Sequence, residues 1–292
     1  MNLATHLIFK QAVHTKLKSN SPLRLCYLMF CLAFFIPIQA TASDLAPHVK
    51  LRGSWIQGGL IMGVAPSQSL IELNGKQLLQ SPDGHFVFGF GRDESGPIQL
   101  KIQHNGDVWQ REYAIEQRDY KIQKIEGIPA KIMNPDTQNQ ARSQAEARLV
   151  GQARQIQRFE LDYLMGFQWP AKGPITGVYG SQRVYNGVPG RPHFGVDVAG
   201  PIGTPVYAPA PGVVTLVHDD MFYSGGTLII DHGLGVSSTM IHLNKIHVKE
   251  GAILKAGDLI ADMGASGRAT GSHLDWRINW FDIRLDPQLL VP

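Results

Sequence analysis

The chain has 292 residues, enough for one large domain or two modest ones. Hydrophobic residues make up 43% and charged residues 17%, which excludes a mainly disordered chain. The formal charge of +3 is misleading: Lys10, Lys16, Lys18 and Arg24 fall in the first 42 residues with no acid, so the remainder holds 23 bases against 24 acids. A body this close to neutral gives no electrostatic basis for a nucleic-acid partner.

Leu25 to Ile38 is an uncharged apolar run preceded by basic residues and followed by Ala40-Thr41-Ala42. It is shorter than the about 20 residues that a membrane span needs, and the two alanines fit an A-x-A cleavage site. Residues 1–42 therefore read as a signal peptide cut after Ala42. The body is expected to be exported to the periplasm or cell envelope, with no stable membrane insertion after cleavage. Cys26 and Cys31 both lie in this leader, so the mature chain would hold no disulfide. Cys31 is a poor lipidation site, because Phe30 stands where a small residue is wanted and the apolar run continues beyond it.

Residues 43–132 read as a small β-sandwich of immunoglobulin type. Asn74-Gly75, Asp83-Gly84 and Asn105-Gly106 are turn dipeptides, and between them lie alternating segments such as Ile98-Gln99-Leu100-Lys101-Ile102. His85 and His104 sit beside turns and read as solvated loop residues. Residues 133–166 change character. Asp136 is placed to cap a helix rich in Ala, Gln, Arg and Glu, whose charges read as a solvated face on a linker.

Residues 167–292 turn β-rich again, with Gly212-Val213-Val214 and Leu259-Ile260 as short apolar strands of an antiparallel sheet or sandwich. Six of the nine histidines beyond residue 42 fall here. His193 and Asp197 frame Pro192-His193-Phe194-Gly195-Val196-Asp197. In a straight strand they would lie about 13 Å apart, too far for one ion, so a bend at Gly195 is needed to bring them together. An imidazole and a carboxylate then suit Zn²⁺. Further on, His273, Asp275 and Arg277 alternate with Leu274, Trp276 and Ile278, so His273 and Asp275 project to one side. His242 closes a third strand, Thr239-Met240-Ile241-His242-Leu243.

In this order and spacing, across roughly residues 172–284, these segments resemble the lysostaphin/LytM-type zinc endopeptidases of the bacterial cell wall. Gly203-Thr204-Pro205-Val206, Asp231-His232-Gly233 and the stretches Gly251 to Gly257 and Gly264 to His273 extend the likeness beyond the polar residues. The front half looks like the small domain that precedes this module in some exported relatives. The resemblance implies that His193 and Asp197 bind zinc, that His242 and His273 are catalytic, and that position 275 supplies the third ligand. The substrate it implies is the peptide crosslink of peptidoglycan. His218, His232 and His247 read as structural.

Position 275 is the departure, since the family has His there and this chain has Asp. A carboxylate is an accepted zinc ligand at about 2.0–2.2 Å, but one His and two carboxylates neutralise the ion where two His and one carboxylate leave it positive. Removing the carboxylate by Asp275→Ala is expected to lower zinc affinity and activity together, and Asp275→His to retain or raise both. The competing reading is a non-catalytic relative that has lost zinc and binds peptidoglycan or regulates another hydrolase. A lipoyl- or biotin-carrier sandwich is a fold-level alternative, but Lys255 lacks the flanking motif.

Overall fold

The alternation noted between the Asn-Gly turns builds two antiparallel sheets at the front of the chain. The structure is a computed structural model and describes residues 48–127 and 137–292. The leader with its two cysteines and expected cleavage site, and the capping Asp136, lie outside the described residues. Strands β1 (Lys50–Gly53), β2 (Leu60–Val64), β3 (Leu70–Leu73), β4 (Lys76–Gln77), β5 (His85–Gly89), β6 (Ile98–His104) and β7 (Asp107–Tyr113) assemble as β1-β2-β5 and β4-β3-β6-β7. In β6 the apolar Ile98, Leu100 and Ile102 are buried while Gln99 and Lys101 between them are not. Asn74 and Asn105 adopt φ of +49° and +51°, each followed by a glycine also at positive φ, as a two-residue hairpin turn requires. His85 and His104 are end residues of β5 and β6, half-buried rather than in solvated loops.

Strand β8 (Ile122–Ile125) leaves this pair of sheets. It runs parallel to β10 (Gln182–Tyr185), which hairpins with β11 (Val188–Pro189). Further ties link front and rear. Arg118 pairs with the buried Asp286 at 2.8 Å, and the Asp286 N–H donates to Gly58 O at 2.8 Å. Apolar residues from both parts, Phe86 and Phe88 together with Val198 and Leu285, belong to one continuous core. A single core shared in this way resists independent motion of the two parts, because separating them would expose apolar surface at about 25 cal/mol per Å².

Helix α1 (Thr137–Arg154) follows, and then the rear strands β9 (Ile175–Gly177), β12 (Val196–Ala199), β13 (Pro205–Tyr207), β14 (Gly212–Met221), β15 (Gly225–Asp231), β16 (Val236–Ile246), β17 (Ile253–Leu254), β18 (Leu259–Met263), β19 (His273–Trp280) and β20 (Ile283–Leu285). These form one ten-stranded sheet whose main path is β17-β14-β15-β16-β19-β12-β9, with β18 on β16, β13 on β18 and β20 on β19. The chain is mainly β, as its composition implies, and its sheets are antiparallel apart from the β8–β10 pair. Helix α1 is not wholly solvated. Ala153 and Val150 pack on Leu216, Met221 and Ile229. Glu146 is buried and accepts from the Phe222 N–H at 2.9 Å, while Arg154 is buried and donates to Thr239 Oγ1 at 2.8 Å. The polar sequence of the helix conceals this contact because small residues, Ala153 above all, make it.

His232 is fully buried between β15 and β16, its Nδ1 2.5 Å from Pro211 O and its Nε2 2.8 Å from Ser238 Oγ. Burial drives its pKa down to about 4. Its folded value lies below the unfolded one, so the stability it confers is complete above about pH 6.5 and fades as pH falls towards 4. Between pH 7 and pH 5 this amounts to a loss on the order of 2 kcal/mol. Urea unfolding at those two pH values is expected to show that loss in the parent, and a smaller one in His232→Gln. An equal loss in both proteins would remove His232 as the source.

Candidate metal centre and flanking histidines

Strands β12 and β19 pair antiparallel with Asp197 directly opposite Asp275 and Ala199 opposite His273. Register alone therefore places the two carboxylates side by side on one face of the sheet. Like charges directly opposite one another are unfavourable unless something positive sits between them. His193 arrives from the segment before β12, fixed by two backbone bonds: its N–H donates to Ser181 O and its carbonyl accepts from the Gly180 N–H, both at 2.8 Å. His193 Nε2 lies 3.2 Å from Asp197 Oδ1, and His193 Nδ1 lies 4.0 Å from Asp275 Oδ2. One donor atom from each of His193, Asp197 and Asp275 falls within 4.8 Å of the others.

His193 Nε2 and Asp197 Oδ1 are both buried, and apart from their 3.2 Å approach to each other neither has a hydrogen-bond partner. Two orphaned electron-pair donors aimed at one point, with a second carboxylate beside them, suit a divalent cation. The residues present thus fit the zinc that the resemblance implies. Burial alone would depress the His193 pKa, but the Asp197 and Asp275 carboxylates outweigh it and hold the imidazole above its ordinary range.

Two glycines make room for the carboxylates. A Cβ at Gly177, on β9, would lie 2.1 Å from Asp197 Oδ2, and one at Gly195 would lie 2.4 Å from Asp275 Oδ1. Gly195 forms the bend read in the sequence, just before β12, and it also provides space above Asp275.

His242 and His273 stand next to this trio, with ring centroids 4.8 Å apart. His273 Nε2 is 3.9 Å from Asp197 Oδ1. Each histidine turns its Nδ1 to a backbone carbonyl, His242 to Ser266 O at 2.9 Å and His273 to Gly271 O at 2.8 Å. Where Nδ1–H donates, Nε2 is an acceptor in a neutral ring and a donor in a charged one. Burial lowers the His242 pKa, which favours the neutral ring. His242 has a φ of +67° at the point where the pairing of β15 with β16 slips between Leu228 and Gly226. A non-glycine residue held there costs on the order of 1–3 kcal/mol, the kind of local strain that gathers at functional sites.

Ser266 was not visible as a site residue in the sequence. Its carbonyl holds His242, while its hydroxyl donates to Leu243 O and accepts from the Gly226 N–H at 2.8 and 2.9 Å. Arg277 was also missed. Its Nε and Nη2 donate to Asp275 Oδ1 and Oδ2 at 2.9 and 2.5 Å, a bidentate pair. Burial alone would raise the Asp275 pKa, but this guanidinium overrides burial and holds the carboxyl below its usual range. The i, i+2 spacing on an alternating strand was the available signal. Of the remaining histidines, His247 pairs with Asp262 at 3.0 Å and His218 accepts from the Asp220 N–H at 3.1 Å.

Residues 191–287 match the model of peptidase family M23, and this span holds His193, Asp197, His242, His273 and Asp275. The chain is 41% identical over 113 residues to the peptidoglycan DD-endopeptidase ShyB of Vibrio cholerae, covering 39% of this chain and 24% of the relative. It is 41% identical over 87 residues to ShyA of the same organism, covering 30% and 20%. The chain thus aligns with about a quarter or less of these relatives' length. A crystal structure of an M23 peptidase candidate from Pseudomonas aeruginosa superposes with a TM-score of 0.63 at 27% identity, covering 80% of this chain and 93% of that one. The likeness in fold therefore extends through the front sheets. Residues 191–287 of this chain are a peptidase family M23 domain.

Gly177→Ala tests the role of Asp197 without touching its side chain. The added methyl would collide with Asp197 Oδ2, so zinc affinity is expected to fall about tenfold to a hundredfold with the far-ultraviolet spectrum unchanged. A chromogenic-chelator competition reads this, and an unaltered affinity would remove Asp197 from the ligand set.

Proposed function

We propose that this protein is a zinc-dependent endopeptidase that hydrolyses peptide crosslinks of bacterial peptidoglycan in the cell envelope. The observation that carries this reading is the convergence of His193, Asp197 and Asp275, with two buried donor atoms lacking partners, beside His242 and His273. The family match and the names of the Vibrio cholerae relatives support the substrate class.

In this reading His193, Asp197 and Asp275 hold the metal. A zinc ion with an open position supplies Lewis acidity, polarising a carbonyl and acidifying water. His242 is the general base: burial keeps it neutral, and its Nδ1 bond to Ser266 O aims the Nε2 lone pair outward to take a proton from the attacking water. His273 Nε2 lies 3.9 Å from the Asp197 carboxylate, on the metal side of the site, and this places it to hydrogen-bond the developing oxyanion. Each ring is oriented by a backbone carbonyl, so neither depends on a mobile side-chain partner.

The second reading, a metal-free module that binds the cell wall, draws on one observation: Arg277 contacts both oxygens of Asp275. A carboxylate has about four lone-pair positions, however, so two hydrogen bonds leave it able to ligate.

Purified protein is expected to retain one zinc per chain and to convert crosslinked muropeptides to monomers, read by mass spectrometry. His242→Ala is expected to lower the rate at least about a hundredfold with zinc retained, and Asp275→Ala to lose zinc and turnover together. A metal-free protein that still binds cell wall and cleaves nothing would replace the enzyme with the binding module.

A further inference from the structure

The unusual ligand position carries a consequence of its own, which rests on the zinc centre proposed above. Asp275 is almost fully buried, with 4% of its side chain exposed, yet its charge is met by a single guanidinium two residues along the same strand. Both Arg277 contacts are hydrogen bonds in the fork geometry that fixes the plane of a carboxylate. An aspartate without such a partner is free to rotate about its last bond. Here one oxygen, Oδ2, is held facing His193 Nδ1. Gly195 completes the arrangement, because a Cβ there would strike Asp275 Oδ1 at 2.4 Å and Arg277 Cγ at 2.7 Å. Glycine at 195 and arginine at 277 are thus both fitted to the aspartate at 275.

Charge is fitted as well. A divalent ion held by one histidine and two carboxylates is neutral. Two histidines and one carboxylate would leave it at +1. Arg277 is close enough to feel Asp197 as well as Asp275, and its permanent charge returns the whole cluster to +1.

We propose that Arg277 is a positioning residue of the metal centre: its bidentate hold on Asp275 aims that carboxylate at the ion and restores the positive charge that a histidine ligand would leave. The pair Asp275–Arg277 is then one unit that takes the place of a single histidine. The structure accordingly revises the expectation for Asp275→His drawn from sequence. That change alone would strand the Arg277 cation beside the metal, so zinc binding is expected to weaken rather than hold or improve.

The test is a double-mutant cycle read by zinc affinity, with the chromogenic chelator as competitor and thermal unfolding of the metal-free proteins alongside. Arg277→Met and Asp275→His are each expected to weaken zinc binding about tenfold to a hundredfold. The double variant Asp275→His with Arg277→Met is expected to bind within about threefold of the parent, because the histidine needs no partner. Arg277→Lys keeps the charge and loses the fork, and is expected to fall between parent and Arg277→Met. Should Arg277→Met fold poorly, the lysine variant and the double variant still decide the matter.

If the parent binds zinc while Arg277→Met and Arg277→Lys bind it equally well, Arg277 has no positioning role. If the double variant is weakened by the product of the two single effects, the two residues are not a unit and the inference falls. A merely structural Arg277 would lower the melting temperature of the metal-free protein in both backgrounds and leave zinc affinity untouched. A parent that binds no zinc, or whose zinc binding survives His193→Ala, overturns the centre itself.

Discussion

Two carboxylates held face to face across one strand pair are the constraint around which the rest of the site is arranged. The β12–β19 register leaves Asp197 and Asp275 no choice of neighbour. Burial then denies water to Asp275 and to Oδ1 of Asp197, and the resulting repulsion has to be met by positive charge. The molecule surrounds the pair with His193 on one side and Arg277 on the other, and two electron-pair donors still lack a partner. A cation between them, as proposed, would resolve the remaining imbalance. Gly177 and Gly195 are the steric counterpart of that demand, since a side chain at either position would displace a carboxylate.

Around this centre the two further histidines are set by backbone rather than by side chains. The slip between β15 and β16 puts His242 into a left-handed conformation, and Ser266 braces the slip with its carbonyl and its hydroxyl together. His273 takes its aim from Gly271 O within its own loop. Rigid aim of this kind suits proton transfer, where a displacement of about 1 Å costs heavily in rate. The continuous core under both halves of the chain supplies that rigidity.

Much of this was legible in the residues. Alternation in β6 and β19 and the Asn-Gly turns gave strand positions and faces, and the resemblance carried by His193, Asp197, His242, His273 and Asp275 gave the members of the proposed site. Three kinds of information were not legible. The contact between α1 and the sheet is made by small residues and a buried Arg154, so its sequence carries no apolar stripe. The parallel pairing of β8 with β10 joins segments about 60 residues apart that share no local pattern. The roles of Ser266, Gly177 and Gly195 arise from close approach in space, where only the three-dimensional register says what a glycine must avoid.

The most direct measurement is X-ray absorption at the zinc edge on the metal-loaded protein, compared with the same protein carrying Asp275→Asn. A centre built from His193, Asp197 and Asp275 gives a first shell of one imidazole nitrogen with the rest oxygen, at about 2.0–2.2 Å, and the shell changes when the 275 carboxylate becomes an amide. A shell with two or more imidazoles, or one indifferent to residue 275, would contradict it.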